Sequence, residues 1–232
     1  MNTADLQPSK LGTKEHWDNV YGEELANFEE IGDEGEIWFG IEVLEKMIEW
    51  VEEYAPASSA PSILEVGSGN GTLLFGLLDA GYDASLLLGI DYSTDAVNLA
   101  KRVATTRGGD GISFYESDFL NNDPPKLERM DSQEGIAVWD LLLDKGTYDA
   151  IALGEKEETG KSPAERYPAR VARLLKQGGR FLITSCNFTE DELKASFATP
   201  ETGLIYHSRI QHPTFSFGGH SGSVVSSVAF EK

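Results

Sequence analysis

The apolar positions along this chain change rhythm twice. Between Ile37 and Tyr54 they recur every three or four residues, at Ile41, Leu44, Met47, Ile48, Val51 and Tyr54, with Glu42, Glu45, Glu49 and Glu52 on the other side. A period of 3.6 predicts an amphipathic helix. A shorter helix is expected in KEHWDNVYGEEL, and residues 1–12 are expected to be flexible. APASSAPS, residues 55–62, is a breaker-rich joint. Beyond it, short apolar runs alternate with helical stretches. SILEVG, SLLLGIDYS, GISFYESD, WDLLLD and GRFLITSCN read as strands. TLLFGLLDAG, TDAVNLAKRVATTRGG, SPAERYPARVARLLKQGG and TEDELKASF read as helices, the second capped by Ser93 or Thr94 and stopped by glycine. This alternation predicts a doubly wound parallel α/β sheet with right-handed crossovers. The rhythm then breaks. GLIYHSRI and SGSVVSSVAFEK are joined through QHPTFSFGGH without a helical stretch, so an antiparallel pair should close the sheet. Residues 121–135 are polar and Pro-bearing, and read as a surface excursion.

Composition narrows the class. The 232 residues suit one large α/β domain with a proper core. No apolar run approaches the roughly 18 residues of a membrane span, and no basic stretch followed by an apolar one suggests a secretory leader. The single cysteine, Cys186, excludes an internal disulfide and a cysteine-based zinc cluster, and suits a reducing compartment. His16, His207, His212 and His220 are scattered without ligand spacing, so no metal is expected. The net charge is −20, from 19 basic and 39 acidic residues. That sign opposes a phosphate backbone and suits a basic partner. Residues 23–53 hold 12 acids and one base, Lys46. An acidic face of this kind serves solubility or docks a basic protein.

The candidate chemistry begins at ILEVGSGNG. Gly67, Gly69 and Gly71 lie between a buried strand and a helix, where glycine permits positive φ and close backbone approach. The helix N-terminus that follows offers free N–H groups. A dinucleotide fingerprint would place a third glycine at Thr72, so the spacing argues for another cofactor. Glu65 precedes the turn. Asp91 ends the next strand, where it can accept from both hydroxyls of a ribose. Asp118 ends the third, where it can accept from an adenine amino group with Phe119 beside the ring. Three acids at three successive strand ends, with the glycine turn, form a cofactor constellation.

LEVGSGNG, GIDYS and SDF resemble the class I S-adenosylmethionine-dependent methyltransferases over roughly residues 62–190. That resemblance implies a seven-stranded Rossmann-like sheet with its last strand antiparallel. It also implies S-adenosylmethionine as cofactor, held by Trp38, Glu65, Gly67, Ser68, Gly69, Asn70, Asp91, Tyr92, Ser93, Asp118 and Phe119. Three further stretches are more specific: LGTKEHWDNVYGEEL with GDEGEIWFG, LLLDKGTYDAIAL, and RFLITSCNFTEDEL with FSFGGHSGSVVSSVAFEK. Together they resemble the eukaryotic protein-lysine methyltransferases acting on translation elongation factor 1-alpha. The resemblance implies a cytoplasmic, monomeric enzyme with a basic protein substrate, and no direct contact with nucleic acid or membrane. It makes residues 1–61 a helical segment packed over the cofactor site and 62–232 the methyltransferase domain, the two being continuous. It also places Asp144, Lys145 and Gly146 at the methyl-transfer site, with Asp144 and Lys145 as catalytic candidates.

Methyl transfer to an amine needs alignment and a neutral nitrogen. Desolvation lowers an amine's pKa. The expectation is an apolar slot with aromatic walls from Trp38, Phe39 or Phe188, and Asp144 receiving the amine's hydrogen bond. No dedicated base is required. Cys186 lacks a nucleophile elbow and reads as a small buried apolar residue. The glycine turn and strand-end acids are blind to the methyl acceptor, so a small-metabolite enzyme or a non-catalytic cofactor-binding scaffold stays open on those residues alone.

Overall fold

The structure, a computed structural model, describes residues 6–128, 135, 136, 138–217 and 220–232, with the backbone alone at 214–217 and 220–222. Two helices come first, α1 (Lys14–Ile31) and α2 (Ile41–Tyr54). β1 (Ile63–Val66), α3 (Thr72–Asp79), β2 (Leu87–Asp91), α4 (Thr94–Arg107) and β3 (Ser113–Glu116) make the first half of the sheet. β4 (Trp139–Lys145), α5 (Thr147–Ala152), α6 (Tyr167–Leu174), β5 (Leu175–Ser185) and α7 (Glu190–Phe197) make the second. β6 (Ile205–Ile210), β7 (Thr214–Phe217), β8 (His220–Ser223) and β9 (Ser226–Glu231) complete the chain's elements.

Seven strands form one sheet in the order β3-β2-β1-β4-β5-β9-β6. β9 runs antiparallel to both its neighbours, and every other pairing from β3 to β5 is parallel. The expected pair of closing strands is present, but the connection between them carries a two-stranded ribbon of its own, β7 with β8.

Strand alternation sorts the core into two layers. Ile63, Leu87, Leu141, Leu143 and Leu182 pack under α2, α3 and α4. Leu64, Val66, Leu88, Leu142, Phe181 and Ile183 pack against α5, α6 and α7. Helices on both faces explain why β1 is buried at all four residues and reads as a continuous apolar run. Ends are set by local chemistry. Gly32 and Gly108, both left-handed, close α1 and α4. Thr189 and Glu192 form a capping box at α7.

Five stretches differ from the sequence expectation, and one of them, α5, was not expected as a helix. α1 continues to Ile31, because no breaker stands between Leu25, where the expected helix ends, and Gly32. α2 starts at Ile41, since Phe39 and Gly40 hold φ of 67° and 81°. Its buried face is Val43, Leu44, Met47, Trp50 and Val51, while Ile41 faces outward. α6 ends at Leu174, and Leu175 already pairs with Trp139 in the sheet. Residues 9–12 are docked rather than loose: the Ser9 N–H donates to the Leu153 carbonyl at 3.0 Å, and the Leu11 carbonyl accepts from Trp17 Nε1 at 2.7 Å. The excursion at 121–135 lies partly outside the described residues; Asp123, within them, pairs with Arg170 and Arg173 on α6.

Candidate active site

A cavity of about 370 Å3 opens at the carboxyl ends of β1 to β5, where ligands bind in open α/β sheets. Its floor is the glycine turn. Gly67 has a φ of 67° and Gly69 one of 52°. The groups crowding them belong to the protein. A Cβ on Gly67 would overlap the Thr147 hydroxyl, which donates to the Val66 carbonyl at 2.8 Å. A Cβ on Gly69 would overlap the Tyr21 hydroxyl from α1. The turn is thereby wedged between α5 and α1.

Asp91 is buried and lines the cavity. Its two oxygens accept from the Gly69 N–H at 3.0 Å and the Ser93 N–H at 2.9 Å. Burial pushes its carboxyl up to about 6, while those N–H donors pull the other way. A carboxylate oxygen accepts more than one hydrogen bond, so each retains capacity toward the cavity. Ser93 does not line the cavity; it serves through its N–H. Tyr92 lines it, with Lys14 above its ring. Ser68 lines it with a buried hydroxyl that has no partner in the protein.

Asn70 lines the cavity and ties two segments together. Its amide nitrogen donates to the Glu34 and Glu36 carbonyls at 3.0 and 3.2 Å, and its oxygen accepts from Thr72 Oγ1 at 2.6 Å. Asp118 and Phe119 line the cavity beyond β3. Asp118 accepts from the Leu120 N–H at 3.0 Å and the Asn121 amide at 2.6 Å. The Phe119 ring packs on Tyr167, with centroids 4.7 Å apart.

Trp38 and Phe39 form a wall. Trp38 meets Trp17 edge-on at 5.0 Å, and its indole N–H is buried without a partner. The Phe39 ring lies against Gly146, where a Cβ would come within 3.0 Å of it. Lys145 lines the cavity and donates to the Trp38 carbonyl at 3.3 Å. Glu65 sits beneath, out of the cavity. Burial raises the Glu65 carboxyl and lowers the Lys145 ammonium, and each opposes the other's shift.

Besides Ser93 and Glu65, two more expected contributors lie elsewhere. Asp144 is fully buried and does not line the cavity. Adjacent strand residues face opposite ways, so Lys145 takes the cavity and Asp144 turns beneath α5. There it accepts from the Thr147 N–H at 2.8 Å, the Tyr148 N–H at 3.0 Å and the Tyr167 hydroxyl. Burial pushes its carboxyl up to about 7, opposed by the Tyr167 hydroxyl. Phe188 is no wall either; its ring is buried against Tyr148 at 5.1 Å.

The cavity also gathers residues the sequence reading passed over: Leu11, Trp17, Tyr21, Thr147, Asp149 and Asn187. Trp17 and Tyr21, one helical turn apart and stacked at 6.1 Å, carried a signal as an aromatic pair. Leu11 carried none. Cys186 is exposed at the cavity wall rather than buried, and partial desolvation of its thiol, followed by the Asp149 carboxylate, pushes it up to about 12. It is therefore protonated at neutral pH. Among the described residues no group of three or more His, Cys, Asp and Glu is placed to hold a metal ion, and no helix is long and apolar enough to cross a membrane.

Comparison with known proteins agrees with this geometry. A family described as "Methyltransferase domain" matches residues 57–215. The Schizosaccharomyces pombe protein-lysine N-methyltransferase efm4 is 42% identical over 241 residues, covering 98% of this chain and 96% of that one. The Saccharomyces cerevisiae protein-lysine N-methyltransferase EFM4 is 41% identical, covering 99% and 98%. Human EEF1A lysine methyltransferase 2 is 39% identical, covering 97% and 88%. Among solved structures, the N-methyltransferase NodS from Bradyrhizobium japonicum, in complex with S-adenosyl-L-homocysteine, superposes with a TM-score of 0.58 at 16% identity, covering 93% of this chain and 97% of that one. At that identity the likeness speaks for the fold. The chain belongs to the methyltransferase-domain family, and within it to the protein-lysine N-methyltransferases that include efm4 and EEF1A lysine methyltransferase 2.

Proposed function

We propose that this protein transfers a methyl group from S-adenosylmethionine to a lysine of translation elongation factor 1-alpha, in the cytoplasm and as a monomer. The observation that carries the reading is the cavity at the strand ends, with buried Asp91 and the glycine turn on one side and an aromatic wall on the other. The near full-length likeness to enzymes named for this substrate narrows the acceptor. The residues present fit the cofactor. Ser68 and Trp38 line the cavity, and each carries a buried polar atom, Oγ and Nε1, that lacks a protein partner; such groups call for one.

S-adenosylmethionine supplies, when bound, a methyl group already activated on a sulfonium. The protein's residues hold and orient. Asp91 accepts the ribose hydroxyls with its remaining lone pairs, and Asp118 accepts the adenine amino group beside Phe119. Ser68 and the Gly67–Asn70 backbone hold the amino-acid end. Trp17, Trp38 and Phe39 exclude water and attract an incoming ammonium by their ring faces. Lys145 fixes the Trp38 carbonyl, and Glu65 offsets the buried Lys145 charge. Asp144 positions α5 by capping its first turn. The surplus of acid suits a basic protein substrate.

The test is transfer from isotopically labelled S-adenosylmethionine into cytosolic protein from cells lacking this enzyme. One labelled band, mapping to a single lysine of elongation factor 1-alpha, is expected. Label confined to small molecules would overturn the assignment.

A further inference from the structure

Four carboxylates line the cavity among the described residues: Asp91, Asp118, Asp149 and Glu155. Two of them are buried, Asp91 and Asp149. The sheet order β3-β2-β1-β4-β5 separates these two. Asp91 stands on the β2 side of the glycine turn, with Asp118 beyond it. Asp149 stands on the β4–β5 side, in the first turn of α5, facing the end of β5. The reading of the β2–β3 side as the nucleoside half leaves the β4–β5 side for the methyl acceptor.

Asp149 is held as a ligand-facing carboxylate would be. One oxygen accepts from the Ser185 hydroxyl, the other from the Cys186 N–H at 2.7 Å. The residue is only 4% exposed. The Cys186 thiol and the Asn187 N–H also lie near enough to favour its charged form. The titratable groups facing it are Asp144 behind it, and the Cys186 thiol and Tyr148 beside it. Among the described residues no ion pair neutralises it, and burial raises its carboxyl while the Ser185 and Cys186 donors oppose the rise.

We propose that Asp149, and not Asp144, is the carboxylate that accepts an N–H of the incoming lysine amine and aims its lone pair into the cavity. The inference rests on the lysine-methyltransferase reading above. The role is orientation, and no proton transfer is assigned to Asp149. The anion also draws the ammonium form inward, and it opposes the desolvation that favours the neutral amine. Ser185 and the Cys186 N–H fix the carboxylate so that it need not reorganise on binding.

The experiment uses the full chain with labelled S-adenosylmethionine and elongation factor 1-alpha purified from cells lacking this enzyme. Failure of the wild-type protein to label that substrate would overturn the underlying reading, and this proposal with it. Given wild-type transfer, Asp149→Asn should lower kcat by roughly tenfold or more. Its cofactor affinity by calorimetry and its urea midpoint should stay close to wild type. Unchanged kcat, or a kcat loss matched by lost cofactor affinity, would overturn the assignment. Should Asp149→Asn fail to fold, Ser185→Ala decides. It leaves the carboxylate but frees one oxygen, so kcat should fall severalfold at unchanged cofactor affinity, and an unaltered kcat would overturn the proposal.

Discussion

Asp91 and Asp144 lie near the carboxyl ends of the two strands that flank β1, yet they serve opposite sides of the sheet. Both are buried carboxylates, and both accept two backbone N–H groups. Asp91 faces the cavity at the end of β2. Asp144, one residue before the end of β4, faces the layer beneath α5 and takes a third hydrogen bond from Tyr167. Residue type and strand position are the same in kind. What differs is parity along the strand, and parity decides whether an acid meets a ligand or a helix N-terminus.

Exchanging the two losses gives the largest expected contrast. Asp144→Ala should destabilise the fold by about 3 kcal/mol, because three buried donors lose their acceptor. Its cofactor affinity should change little. Asp91→Ala should do the reverse, weakening S-adenosylmethionine binding by roughly 1.5–3 kcal/mol with a small loss of stability. Calorimetric titration and urea denaturation on both variants read the contrast directly, and matching losses would erase it.

A somewhat smaller effect tests the wedge under the Asp91 side. Gly67→Ala should cost about 2 kcal/mol, from a positive φ and the overlap with Thr147. Adding Thr147→Ala should recover the overlap and leave roughly 1 kcal/mol of backbone strain. No recovery in the double variant would place the whole cost in the backbone.

The Asp144 side should also show in the pH dependence of stability. Its folded pKa, about 7, lies above its ordinary value of 3.8. Its stabilising share is therefore complete below that ordinary value and is lost as pH rises through 7. Between pH 6 and 8 this amounts to about 1 kcal/mol. Asp144→Asn should flatten that part of the profile by urea midpoint, and an unaltered slope would show that Asp144 does not titrate there. Smallest of all is the exposed Arg107–Glu34 ion pair that anchors the segment tied down by Asn70. Glu34→Ala should shift stability by under about 1 kcal/mol, and less at high salt.

The sequence made one half of the site plain and hid the other. The glycine turn and Asp91 come from stretches whose glycine spacing and strand–turn–helix context state their use locally. Leu11, Tyr21 and Asp149 meet only through the fold, across more than a hundred residues, and no local pattern reports such a meeting. Asp144 was visible as a strand-end acid, but its direction depended on the parity of β4, which LLLD does not disclose because both faces of the strand are apolar. The helix–strand boundary at Leu174–Leu175 was hidden for a similar reason: a pair of leucines fits the end of a helix as well as the start of a buried strand.

The position of β9 in the sheet bears on how the chain is assembled during synthesis. β6 emerges before β9, yet β9 lies between β5 and β6. Until it inserts, the growing sheet stops at β5 and β6 has no strand to join. Once inserted, β9 pairs on both sides, Val228 with Ile183 and with Arg209. A strand made after β6 is thus interior to it in the sheet. Its arrival completes the half of the sheet that carries Asp149's support at Ser185, so this side of the cavity forms late in the life of a nascent chain.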